Sequence, residues 1–147
     1  MKVVFVCWGN ICRSVTCEYL FSYYLNKDNI KGFETDSFGV SNEEYMNPIY
    51  PKMRMEFKKY HIPIYPHYAK KITESDINNS DLIFALDSSV YSVLKRRYPN
   101  RDNIYLLNEY LNKKEEVEDP WYSLRFNHVF LLIQEYIKSL ILKLNSK

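Results

Sequence analysis

Val3-Val4-Phe5-Val6-Cys7-Trp8-Gly9-Asn10-Ile11-Cys12-Arg13-Ser14 is the stretch that decides how the chain is read. An apolar, β-branched run ends in a cysteine, five residues separate that cysteine from an arginine, and a serine and a helical pattern follow. This order predicts a strand, a tight loop and a helix N-terminus. Such a loop aims successive backbone N–H groups into one concavity, and the helix dipole adds partial positive charge there. Those are the features of a phosphate cradle. Arg13 brings a planar, two-pronged donor that matches paired phosphate oxygens. Cys7 faces the same field, and helix N-termini and neighbouring cations favour thiolate over thiol. A thiolate beside a bound phosphoryl group is a nucleophile in position to accept it, with the Ser14 hydroxyl placed to donate to the sulfur. Taken singly, Cys7 reads as a core cysteine and Arg13 as a surface residue. Their order along the chain is what points to chemistry.

Working outward, residues 2–6 form a continuous apolar run suited to a strand buried on both faces. Residues 33–40, 81–86 and 103–107 read as three more strands. Helical patterns cover residues 14–26, 51–60 and 124–145, with another running from Asp87 or Ser88 to Tyr98. Thr73 opens a short helix with Asp76 three residues on. Residues 41–51 read as irregular, and residues 108–122 as a mostly charged loop. Strands alternating with helices predict an α/β fold, a single open four-stranded parallel sheet with helices on both faces and the phosphate loop after the first strand. One domain over residues 1–147 is expected. In such sheets the site lies beyond the carboxyl ends of the strands, near a topological switch point, and Cys7, Ser37 and Asp87 are expected at that edge.

Composition narrows the function classes. Hydrophobic residues make up 46% of the 147-residue chain and charged residues 26%, as in a globular protein rather than a disordered one. A net charge of +2 with no block of five like charges gives no reason to expect a nucleic acid partner. The three cysteines, Cys7, Cys12 and Cys17, do not make a secreted disulfide framework. Residues 3–6 are too short for a signal-peptide core, and the apolar C-terminal region is interrupted by Gln134, Glu135, Lys138 and Lys143, so no membrane span is expected. A cytoplasmic setting is the expectation.

A thiol-phosphate intermediate needs a proton for its leaving group and then a base to activate water. Asp119 is the candidate: Pro120 stiffens its loop, and Trp121 and Tyr122 can line an apolar slot beside it. Asp-Pro is also a common turn dipeptide, and Glu115, Glu116 and Glu118 stand as alternatives. Cys12 shares the loop with Cys7, either as a disulfide partner or as a packing thiol. His67 alone reads as a structural histidine.

Residues 6–14 closely resemble the signature of the low-molecular-weight protein tyrosine phosphatases, and Asp119-Pro120-Trp121-Tyr122 resembles that family's general-acid loop. The resemblance covers almost the whole chain. It implies Cys7 as nucleophile, Arg13 as phosphate clamp and Asp119 as general acid and then base. It implies that Gly9, Asn10, Ile11, Cys12 and Ser14 cradle the phosphate, with Asn10 holding the loop in its strained shape. Ser37 and His67 resemble two support residues of that network. Trp8, Tyr45, Trp121 and Tyr122 would then surround the mouth and grip the phenol ring. Departures from the pattern are Val15 for a proline, Ser37-Phe38-Gly39-Val40 for Ser-Ala-Gly-Thr, Ser123 for a glycine, and a segment around Tyr45 in place of a tryptophan-containing loop.

The implied activity is hydrolysis of phosphotyrosine monoesters through a cysteinyl phosphate, without metal or other cofactor. Its substrates would be phosphotyrosine proteins or small phosphomonoesters, and its state a monomer. A thiol-dependent arsenate reductase shares this kind of loop but relays a disulfide through mid-chain cysteines, and residues 18–147 contain none. A non-catalytic phosphate-binding module is the other alternative, disfavoured because all three catalytic groups are present.

Overall fold

The computed structural model describes residues 1–146. Four strands, β1 (Lys2–Cys7), β2 (Glu34–Gly39), β3 (Leu82–Ala85) and β4 (Ile104–Leu106), form one sheet in the order β2-β1-β3-β4, every neighbouring pair parallel. The helices are α1 (Arg13–Lys27), α2 (Pro51–Lys59), α3 (Glu74–Asn78), α4 (Ser88–Arg97), α5 (Leu107–Tyr110), α6 (Pro120–Ser123) and α7 (Phe126–Asn145). This is the open parallel sheet expected from the alternation of patterns.

The continuous apolar run of β1 is explained by its central position. Side chains alternate across a strand, so Val3, Phe5 and Cys7 enter one core and Val4 and Val6 the other. On the first face Phe5 meets Phe21 of α1 edge-on at 5.7 Å, and Phe57 and Tyr60 from the α2 region pack on Phe130 of α7. On the second face Val4 and Val6 join Ile77 of α3 and Val90 and Leu94 of α4. The predicted stripe on the last helix is complete: Phe126, Val129, Phe130, Ile133, Tyr136, Ile137, Leu140, Ile141 and Leu144 are all buried. No helix among the described residues is long and apolar enough to cross a membrane.

Short-range signals place most helix starts. Thr73 accepts the Asp76 N–H and Asp76 accepts the Thr73 N–H, a reciprocal capping box. Asp87 accepts the Val90 N–H at 2.9 Å, and Pro51 opens α2. The structure departs from the sequence expectation in the 108–122 segment. Leu107–Tyr110 and Pro120–Ser123 are short helices rather than strand end and loop. Asp119 caps the second by accepting the Trp121 N–H at 3.0 Å, and Pro120 presets its first φ. Ser37 is likewise not at a strand end. It pairs with Phe5, and the end of β2 is Gly39, opposite Cys7.

The chain leaves β1 toward β2 and leaves β3 toward β4, on opposite sides of β1. The crevice therefore opens beyond the carboxyl ends of β1 and β3, which places Cys7 near Asp87. Gly39 closes the sheet against the loop that follows β1. A Cβ there would stand 2.6 Å from the Trp8 carbonyl oxygen and 3.1 Å from the Gly9 carbonyl carbon. Gly39→Ala should thus destabilise the protein by about 1–3 kcal/mol, as overpacking typically does. A urea unfolding midpoint equal to wild type would contradict this account of Gly39.

Candidate active site

Residues 8–12 connect β1 to α1 and wrap around Asn10. Asn10 has φ of 61°, in the left-handed region where asparagine is one of the few tolerated side chains. Every polar group it carries is used. Its N–H points at Cys7 Sγ (3.3 Å), its carbonyl meets His67 Nε2 (2.6 Å), and its Oδ1 accepts the Lys70 N–H (3.1 Å). Its Nδ2 donates to Ser14 Oγ (2.8 Å) and Ser37 Oγ (3.0 Å). Burial pushes the His67 imidazole below its ordinary value, partly opposed by the Asn10 carbonyl, so a neutral ring is favoured at pH 7. A carbonyl oxygen only accepts, which makes Nε2 the protonated nitrogen.

Cys7 is buried, and its sulfur lies 3.0 Å from Ser14 Oγ. Arg13, also buried, donates from Nη1 to Asp87 Oδ2 (2.6 Å) and to the Val117 carbonyl (3.0 Å), while Nη2 is 3.7 Å from Asp119 Oδ2. Burial works against the Arg13 cation, but Cys7, Asp87 and Asp119 outweigh it and raise the guanidinium above its ordinary value. Burial and the neighbouring Cys7 hold Cys12 as a thiol, and burial does the same for Cys17. All three cysteines are free.

A cavity of about 380 Å³ opens over this loop. Residues 7–13 line it together with Glu43, Glu44, Tyr50, Asp119, Trp121, Tyr122 and Phe126. The other carboxylates near Asp119 are engaged elsewhere. Glu115 meets His128, Glu116 accepts from Ser88, and hydrogen bonds from Arg125 and Ser123 hold Glu118 down to about 2. Of these four acids only Asp119 lines the cavity. Glu115, Glu118 and His128 also bring ligand atoms within 4.8 Å of one another, the one such grouping among the described residues, but they line no part of this cavity.

The structure brings Cys7, Trp8, Gly9, Asn10, Ile11, Cys12, Arg13, Asp119, Trp121 and Tyr122 to one cavity, with Ser14, Ser37 and His67 bonded beneath it. Tyr45 is not among them. It lines a neighbouring depression with Tyr65, His67 and Tyr68. The reason is local: Tyr45 N–H closes a turn on the Asn42 carbonyl, and Met46, at φ 70°, ties back to the Ala69 carbonyl. The ring on the cavity wall is Tyr50, whose N–H binds the Ile11 carbonyl at 2.8 Å. Its ring meets Trp121 edge-on at 5.2 Å and stacks on Phe126 at 5.6 Å. Asp87 was legible as a helix cap at the right sheet edge, but its second oxygen also braces Arg13.

Residues 2–147 match the family model described as low molecular weight phosphotyrosine protein phosphatase. The chain belongs to that family. As a member it is a phosphatase of the protein-tyrosine-phosphatase class, and its substrates are phosphoproteins or phosphomonoesters. It is 33% identical over 143 residues to the low molecular weight protein-tyrosine-phosphatase PtpA of Staphylococcus epidermidis, covering 96% of this chain and 92% of the relative. The crystal structure of YfkJ from Bacillus subtilis superposes with a TM-score of 0.93 at 27% identity, over 99% of this chain and 95% of that one. A Drosophila arginine phosphatase superposes with a TM-score of 0.89 at 27% identity, over 97% of each chain.

Burial alone would raise the Asp87 carboxyl, but Arg13 and the donors Val90 N–H and Ser89 hold it below its ordinary 3.8. A depressed folded value means that this stabilisation is complete above 3.8 and is lost as pH falls through the folded value. Asp87→Asn should cost roughly 1–3 kcal/mol at pH 7, with the deficit shrinking toward pH 3. Urea midpoints measured across that range check it, and a constant deficit would contradict the pairing.

Proposed function

We propose that Cys7, Arg13 and Asp119 hydrolyse phosphotyrosine monoesters through a cysteinyl phosphate. The observation that carries this reading is one rigid loop that holds the Cys7 sulfur and the Arg13 guanidinium in the same cavity, with Asp119 Oδ2 3.7 Å from Arg13. The Cys7 thiolate attacks phosphorus, and an S–P bond forms as the P–O bond to the phenol breaks. Asp119, in its acid form, gives its proton to the departing phenolate oxygen. As carboxylate it then takes a proton from water, whose oxygen attacks phosphorus while the S–P bond breaks. Inorganic phosphate and the thiolate result. Arg13 and the loop N–H groups stabilise the charge spread over the phosphoryl oxygens. The scheme calls on no metal or cofactor.

The cavity wall supports the choice of phosphotyrosine. Tyr50 packs on Trp121 and Phe126, and these three rings line the cavity together with the exposed Trp8 and Tyr122. A phenyl ring offers apolar area to pack against those rings, and a phosphoserine side chain offers almost none. Phosphoarginine is a second reading, favoured by the Glu43 and Glu44 carboxylates that line the cavity, which suit a guanidinium. We take the protein to act as a monomeric single domain over residues 1–147, in the cytoplasm. A panel of phosphotyrosine, phosphoserine and phosphoarginine peptides separates the readings.

Cys7→Ser should abolish turnover of para-nitrophenyl phosphate while keeping vanadate binding, measured by calorimetry. Residual turnover at the wild-type rate would remove Cys7 from the mechanism. Asp119→Ala should slow phenyl phosphate far more than nitrophenyl phosphate, because the poorer leaving group needs the proton more. Equal losses on both substrates would count against Asp119 as the acid.

A further inference from the structure

Beneath the catalytic loop lies a buried carboxylate that the reaction scheme does not use. Glu18 stands on α1 one turn beyond Ser14 and is 8% exposed. Its Oε1 accepts the Ser37 hydroxyl at 2.6 Å, and its Oε2 accepts the Tyr65 hydroxyl at 2.9 Å. Tyr65 is itself fixed. Its carbonyl accepts the Tyr19 hydroxyl at 2.6 Å, and its ring lies 4.2 Å from that of Tyr19, centroid to centroid. The bonds continue from Ser37 through Asn10 and Ser14 to the sulfur of Cys7.

The direction of this chain follows from which atoms can donate. Geometry alone leaves the last link open, since either Cys7 or Ser14 can be its donor. A carboxylate only accepts, so Ser37 must turn its hydrogen toward Glu18 and offer a lone pair to Asn10. Asn10 answers with Nδ2, and its Oδ1 takes the Lys70 N–H. The same Nδ2 donates to Ser14. Ser14 Oγ, already accepting, is left with its hydrogen for the sulfur.

We propose that Glu18, held by Tyr65, is a positioning residue that sets the direction of this hydrogen-bond chain and keeps Ser14 a donor to the Cys7 sulfur. The consequence falls on the steps in which sulfur carries charge, namely the free thiolate and the thiolate that leaves phosphorus. The half-exposed Tyr65 is the point at which this chain reaches the surface. The inference rests on the catalytic role proposed above for Cys7.

The test is a double-mutant cycle on Tyr65→Phe and Ser37→Ala, read in two ways. The first readout is the pH midpoint for carboxymethylation of Cys7 by iodoacetate, followed by peptide mass spectrometry. The second is kcat and KM for para-nitrophenyl phosphate. Tyr65→Phe should move the midpoint upward and lower kcat about five-fold, the worth of one ordinary hydrogen bond, with KM unchanged. Ser37→Ala severs the chain nearer the sulfur and should give a shift at least as large. The double variant should then match Ser37→Ala alone, because Tyr65 has nothing left to act through. An unchanged midpoint in Tyr65→Phe, or shifts that simply add in the double variant, would overturn the proposal. If Tyr65→Phe does not fold, Glu18→Gln takes its place in the cycle with the same non-additivity expected. Absence of turnover in the wild type would instead defeat the catalytic reading, and the alkylation midpoints would still decide this one.

Discussion

The site depends on a single residue held in an unfavourable conformation. Asn10 occupies the left-handed region, and no one of its partners would hold it there. Its carbonyl and amide oxygen are tied to His67 and Lys70, its amide nitrogen to Ser14 of α1 and Ser37 of β2, and its N–H to the sulfur of Cys7. Strain at a functional loop persists when its surroundings over-determine it, and here the surroundings are two parallel strands and the start of a helix. The fold acts as a frame that forces five residues into a phosphate-shaped turn.

The arginine follows the same logic. Arg13 is almost wholly enclosed, its charge is sustained by Cys7, Asp87 and Asp119, and its Nη1 is fixed by Asp87 and the Val117 carbonyl. Those partners come from the end of β3 and from the segment before α6. A guanidinium fixed by two acceptors has little rotamer freedom to lose when an anion arrives, which is the condition for electrostatic preorganisation. Asp119 is delivered by the same segment, since Val117 is pinned to the Leu86 carbonyl only two residues earlier.

Much of this was legible in the chain, for identifiable reasons. The apolar run before Cys7 is unbroken because β1 is buried on both faces, and the α7 stripe is complete because one whole side of that helix is buried. What stayed hidden depended on long-range returns of the chain. Tyr45 and Tyr50 are equivalent by composition, and only the turn at Met46 and the bond from Tyr50 to Ile11 decide which faces the cavity. The second task of Asp87 is invisible because capping already accounts for the residue. Glu18 carries no signal of its own in the sequence, and its burial becomes visible only once Ser37 and Tyr65 are bonded to it. The two short helices at Leu107–Tyr110 and Pro120–Ser123 carry too few residues for any periodicity to register.

The central position of β1 has a consequence for how the enzyme comes into being. Cys7 precedes every other strand in the sequence, yet it sits in the middle of the sheet and shares its cavity with Asp119, 112 residues later. During synthesis the thiol therefore emerges long before the elements that enclose it. Contacts of such wide sequence separation form late and slowly. The cavity is thus a property of the nearly completed chain, since no N-terminal fragment that ends before Asp119 carries both groups that line it.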